Sequence, residues 1–122
     1  MLKSMLALAA LFTTTFLTAQ TQISIDSVSS YLGQHVKVCD KVADTYKAAG
    51  EGSMTYLNFG GKYPDHKFTV VIFAKDLINF PFSPVEHYKN HNVCITGMAA
   101  QYKGKSQIVA RFPVQIEIES EN

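Results

Sequence analysis

A two-residue alternation of apolar and polar side chains runs through most of this chain. In HVKVCDKVADTY, Val36, Val38 and Val42 alternate with Lys37, Cys39 and Lys41, the period of a half-buried strand. In TYLNF, Leu57 and Phe59 share one face and Tyr56 and Asn58 the other, while KFTVVIFAK sets Phe68, Val70 and Ile72 against Thr69, Val71 and Phe73. Both of these strands carry apolar residues on each face, so the side turned from the core is not purely solvent-facing. NVCITGM sets Val93 and Ile95 against Cys94 and Thr96; a KGK turn then leads to SQIVARF, and VQIEIES follows Pro113.

Helical signals are short. SIDSVSSYLG offers Asp26 as an N-cap, Val28 and Leu32 four apart, and Gly33 as a stop, which predicts one or two turns. Pro81 and Pro84 forbid a long helix across DLINFPFSPVEHYKNH, but Ser83, Pro84 and Glu86 predict a capped short one. KAAGEGS reads as a loop, and GGKYPDH as a hairpin-like connection.

The resulting order is a short helix, three strands, a short helix and two strands. It predicts an all-β domain with the five-stranded Greek-key barrel called the OB-fold. In that barrel the first strand pairs with the fourth, and these carry Cys39 and Cys94. Each cysteine lies on the face opposite its strand's Val or Ile residues, so antiparallel neighbours bring both sulfurs to one side, as a bridge requires. Two buried free thiols are the alternative.

The first residues change the setting. MLKSMLALAALFTTTFLTA has one cation, an apolar run and a small residue at Ala19, the order of a secretory signal peptide. Thr13, Thr14 and Thr15 interrupt the run well short of the ~20 apolar residues of a membrane span. The expected organisation is therefore a signal peptide over residues 1–19 and one domain over 20–122, periplasmic or secreted, with no later membrane span. An oxidising compartment favours the disulfide. Loss of Lys3 leaves ten Lys and Arg against ten Asp and Glu, and a neutral domain has no general attraction for polyanions.

VKVCDKV, TYLNFGGKYPDHKFTVVI, VCITGMAAQYKGKSQIV and PVQI together resemble a family of small bacterial secreted OB-fold domains, described as nucleic-acid-binding or tRNA-anticodon-type-like. The resemblance spans Val36 to Ile116. Asp40 stands where that family has glycine, Met98 and Ala99 replace a lysine and an apolar residue, and Ser106 replaces proline. The lost lysine removes a phosphate contact from the fourth strand.

A single-strand-binding barrel of this kind uses aromatic faces for stacking and cations for the backbone, on strands two and three and the adjoining loops. The expected ligand-binding residues are Lys37 and Lys41 on the first strand, Tyr56, Asn58, Val71 and Phe73 on the next two, and Tyr102, Lys103 and Lys105 around a glycine turn. Catalysis is not expected. Phosphodiester hydrolysis needs clustered carboxylates and arginines, whereas Arg111 is the only arginine and Asp40, Asp65, Asp76 and Glu86 share no pattern. His87 and His91 stand four apart, but on a segment too short to align them, so neither a metal nor a cofactor is expected. Without a C-x-x-C motif the cysteines read as structural. The expectation is non-catalytic binding of single-stranded nucleic acid or a similar extended ligand. The alternative is an envelope module for a protein, a glycan or a small cationic ligand.

Overall fold

The computed structural model describes residues 21–50 and 52–120; the leader expected over residues 1–19 lies outside the described residues. The run around Cys39 forms one 13-residue strand, β2 (His35–Lys47), which pairs in parallel with the two-residue β1 (Gln22–Ile23). The remaining runs become β3 (Thr55–Phe59), β4 (Phe68–Ile72), β5 (Asn92–Met98), β6 (Ala100–Tyr102), β7 (Lys105–Val109) and β8 (Ile116–Ile118). Hydrogen bonds join them in the order β6-β7-β4-β3-β2-β5-β8. Along this path β4 and β7 are parallel and the other neighbours antiparallel.

This corrects the expected closed barrel of five strands: among the described residues the sheet has eight strands and its path is open between β6 and β8. Backbone hydrogen bonding is the reason. The expected fourth strand is interrupted at Ala99, whose N–H donates to Gln34 O at 2.9 Å and whose carbonyl accepts from Gly33 N at 2.8 Å. The segment therefore splits into β5 and β6, while β1 and β8 add short partners to β2 and β5. One stretch of chain thus supplies a strand near each end of the path, so the sheet curls around a single core.

That core is the apolar half of each alternation. Val36, Val38 and Val42 of β2, Leu57 and Phe59 of β3, and Phe68, Val70 and Ile72 of β4 are almost wholly buried, as are Val93, Ile95 and Ile108. The first helical segment is a 3₁₀ turn, Ile25–Ser30, whose N-cap is Ser24 rather than Asp26. Gly33 follows at φ +84°, where glycine is favoured. Val28 from this turn is buried, but Leu32 is exposed. The second helix, α1 (Pro84–His87), has Ser83 at its N-cap without the expected side-chain bond. Beyond it, Tyr88 is buried and its hydroxyl donates to Ile116 O at 3.0 Å. Burial pushes the Tyr88 pKa up to about 12.

Between Val42 and Asp44 the pairing of β2 with β3 shifts by one residue. Such a bulge reverses which side chains face the core. Before it the even-numbered valines point inward; after it Thr45 pairs with Leu57, leaving Asp44 and Tyr46 outside beside Asn58 and Tyr56.

Cys39 and Cys94 are direct partners in the β2–β5 register and form a disulfide, with Cα atoms 4.0 Å apart and a separation of 55 in sequence. Closing a loop of that length contributes at most about 4 kcal/mol by the chain-entropy estimate. Replacing both residues (Cys39→Ser with Cys94→Ser) is expected to lower the urea midpoint without changing the folded far-UV spectrum; an unchanged midpoint would show the bridge to be dispensable. Gly97 has a different constraint, because a Cβ there would lie 2.6 Å from Ile108 Cγ2. Gly97→Ala is expected to cost about 1–3 kcal/mol through overpacking, read from the same denaturation curves.

Candidate ligand-binding hollow

On the outer face of the sheet, the second half of β2, β3, β4 and β7 floor an open hollow of about 820 Å³, walled by the β3–β4 loop and the β6–β7 turn. Strand register decides what the floor presents. Asp44, Asn58, Thr69 and Gln107 form one cross-strand row, and Tyr46 and Tyr56 belong to the next. Thr69 Oγ1 donates to Asn58 Oδ1, which fixes the amide and turns its N–H₂ away from the threonine.

Aromatic rings form the walls. Tyr46 and Tyr56 stack with centroids 6.3 Å apart, and Tyr63 stacks on His66 at 5.7 Å. Tyr102 stands on the far side with Lys103 Nζ 5.4 Å from its ring centroid, a cation–π distance. Tyr46, Tyr63 and Tyr102 are 56, 73 and 61% exposed, so each keeps part of its ring open to solvent beyond its neighbour in the stack.

Two contacts fix the walls. Lys105 Nζ donates to Pro64 O at 3.1 Å and to His66 O at 2.6 Å, tying the β6–β7 turn to the β3–β4 loop. Asp44 Oδ2 accepts from Tyr63 N at 3.3 Å. Lys105 is therefore engaged in holding the loop, and Lys103 is the exposed lysine of the lining set, its ammonium over the Tyr102 ring.

Of the residues expected to bind ligand, the structure brings together Tyr56, Asn58, Tyr102, Lys103 and Lys105. Four lie elsewhere. Val71 shares the Tyr56 face but is buried and does not line the hollow. Phe73 lies past the end of β4 as the N-cap of the 3₁₀ turn Ala74–Asn79, half-buried and outside the hollow. Lys41 is exposed on the first half of β2, and Lys37 lines a separate hollow beside the disulfide. Asp44, Tyr46, Tyr63 and His66 escaped the sequence reading. The bulge in β2 hides the first two from simple alternation, and the Y-P-D-H run reads locally as a turn. His87 stacks on Phe82 with centroids 3.7 Å apart, and α1 ends before reaching His91.

No protein-family model matches the sequence, and no curated protein does. Solved structures match by shape. A chain from the crystal structure of yeast Stn1 and Ten1 has a TM-score of 0.58 at 12% identity, covering 88% of this chain and 66% of that one. An OBody bound to hen egg-white lysozyme gives 0.53 at 17% identity, covering 85% and 96%. A putative aspartyl-tRNA synthetase from Leishmania major gives 0.50 at 13% identity, covering 91% of this chain and 23% of that protein. This chain thus spans just under two thirds of the first and about a quarter of the last. These are OB-fold proteins, and the likeness identifies the fold of this chain as OB-type.

His66 is 7% exposed, and its Nδ1 has no hydrogen-bond partner among the described residues. Burial, and then the Lys105 ammonium, hold its pKa below the ordinary 6.5, against the opposing carboxylates of Asp44 and Asp65. Folding therefore favours the neutral ring. The sign follows: this contribution to stability is complete above about pH 6.5 and is lost as pH falls below it toward the depressed folded value. Urea denaturation at pH 7.5 and 5.5 is expected to show a smaller loss of stability for His66→Gln than for the unaltered protein. Equal losses would remove His66 as the cause.

Proposed function

We propose that this chain is a non-catalytic binding protein of the small bacterial secreted OB-fold type, acting outside the cytoplasm on single-stranded nucleic acid or a similarly extended ligand. The observation that carries this reading is the gathering of Tyr46, Tyr56, Tyr63 and Tyr102 around one open hollow. Successive planar groups can stack on such rings at about 1–3 kcal/mol each, largely independent of base identity. The polar floor, with half-buried Gln107 beside the buried Asn58–Thr69 pair, suits polar edges rather than a purely apolar guest. The disulfide fits an oxidising compartment, and the leader-like first residues support export.

Charge adds little to binding on this reading. Lys105 is engaged by two backbone carbonyls, so Lys103 is left as the main phosphate contact on the rim. A log–log salt slope of about −0.7 per phosphate contact on single strands then makes a shallow dependence the expected result. A protein or glycan ligand is the second reading. Asp44 in the floor and the balanced charge favour it, as does the resemblance to an OBody bound to lysozyme.

Titrating a fluorescent single-stranded oligonucleotide at low salt tests the first reading. Tyr46→Ala, Tyr63→Ala and Tyr102→Ala are each expected to weaken binding roughly fivefold to hundredfold, while Lys103→Ala flattens the salt slope. No binding at low salt, or binding indifferent to all three tyrosines, would sink the nucleic-acid reading in favour of the second.

A further inference from the structure

Away from the hollow, three strands place an unusual row of side chains on one face. Cys39 of β2 is opposite Cys94 of β5, which in turn is opposite Glu117 of β8. Cross-strand partners point to the same side of a sheet, and Glu119, two residues past Glu117, reaches the same spot. Its Oε1 lies 2.9 Å from Cys94 Sγ. A disulfide sulfur has no proton to donate, so no hydrogen bond accounts for a carboxylate oxygen at this distance. Cys39 Sγ, Cys94 Sγ and a Glu119 oxygen lie within 4.8 Å of one another. Two thiolates and a carboxylate bound at ~2.3 Å and ~2.0–2.2 Å to one tetrahedral ion span separations of that order.

The surroundings admit an ion and a reductant. These residues line an open hollow of about 400 Å³, shared with Lys37, Gln22 and Glu117, and both cysteines are only half-buried. With the disulfide broken and both thiols deprotonated, the face would carry four negative groups, Cys39, Cys94, Glu117 and Glu119, against Lys37. Such a charge excess on two soft sulfurs and hard oxygens matches a borderline divalent cation.

We propose that reduction of the Cys39–Cys94 bond turns this face into a site for a thiophilic divalent cation of the Zn²⁺ class, held by Cys39 Sγ, Cys94 Sγ and Glu119. A dithiol supplies the two electrons and two protons: its sulfurs form a disulfide as the protein's S–S bond becomes two thiols. Metal binding then forms two S–metal bonds and releases the two thiol protons to solvent. Because the cysteines are already in register, β2 and β5 need not move apart. The ion replaces the covalent link as the clamp between them.

The test uses the domain reduced with a phosphine and freed of excess reductant, titrated with Co²⁺ and then Zn²⁺. The reduced protein is expected to develop thiolate-to-cobalt charge-transfer absorption that saturates at one equivalent and is abolished by Zn²⁺, while the disulfide form develops none. Glu119→Gln is expected to weaken Co²⁺ binding by at least about tenfold, with the thermal midpoint of the oxidised protein unchanged. Zn²⁺ is also expected to raise the melting temperature of the reduced protein, or to restore its β-sheet circular dichroism if reduction unfolds it. Absence of the charge-transfer band, equal affinity in Glu119→Gln, or failure of Zn²⁺ to stabilise the reduced chain would each overturn the proposal. None of these readouts depends on oligonucleotide binding.

Discussion

The fold depends on β2 serving two sets of partners. Its first half pairs with β5 and its second with β3, and among the described residues it is the strand whose hydrogen bonds join these two parts of the sheet. A single unkinked strand would keep one alternation from His35 to Lys47 and would turn Tyr46 toward the core. The bulge beyond Val42 prevents this. It preserves the buried valines on one side of the irregularity and delivers Asp44 and Tyr46 to the outer surface on the other. The curl of the sheet and the composition of the hollow thus share one local cause.

Two chain segments far apart in sequence complete the hollow, and a lysine holds them together. Loops joining strands are ordinarily the mobile part of such a domain, but here the ammonium of Lys105 bonds to two carbonyls of the β3–β4 loop. Asp44 holds the same loop from the other side through Tyr63 N. Order in this loop places Tyr63 over His66 and keeps its ring face open. Preorganised rings lose less entropy when a ligand arrives than rings that must first be positioned. A cation engaged in this way contributes to shape rather than to attraction, which agrees with a domain of balanced charge.

The chain also separates its chemistry along β2. Side chains before the bulge, Lys37 and Cys39, belong to the disulfide face with β5 and β8; those after it, Asp44 and Tyr46, belong to the hollow. Linking β2 to β5 on one face leaves the other half of the strand free to present its polar row. The disulfide stabilises the scaffold without touching the hollow, which is why the two can be perturbed separately. OB-type folds resembling this one at 12–17% identity share the scaffold with little sequence in common, so the chemistry of any one member is carried by its surface rows and loops.

The main strand runs, the apolar face of each and the Cys39–Cys94 pairing were legible in the sequence, because a period of two reports directly which side chains leave water. Tyr56 and Asn58 could likewise be placed on the face away from Leu57 and Phe59 from periodicity, and the Tyr102–Lys105 turn beside that face from the expected OB-type fold. Tertiary structure decided the rest. The break at Ala99 arises from hydrogen bonds to Gly33 and Gln34, more than 60 positions earlier, and no local pattern encodes such a partner. The reversal of facing after Val42 depends on the register of β3 against β2, so the strand read by itself puts Lys41 on the side away from the valines but cannot place Tyr46. Whether Val71 met ligand or was covered, and whether Lys105 stood free or held a loop, were settled only when distant segments packed around them. Alternation records burial one strand at a time, whereas a site is made by the registers between strands.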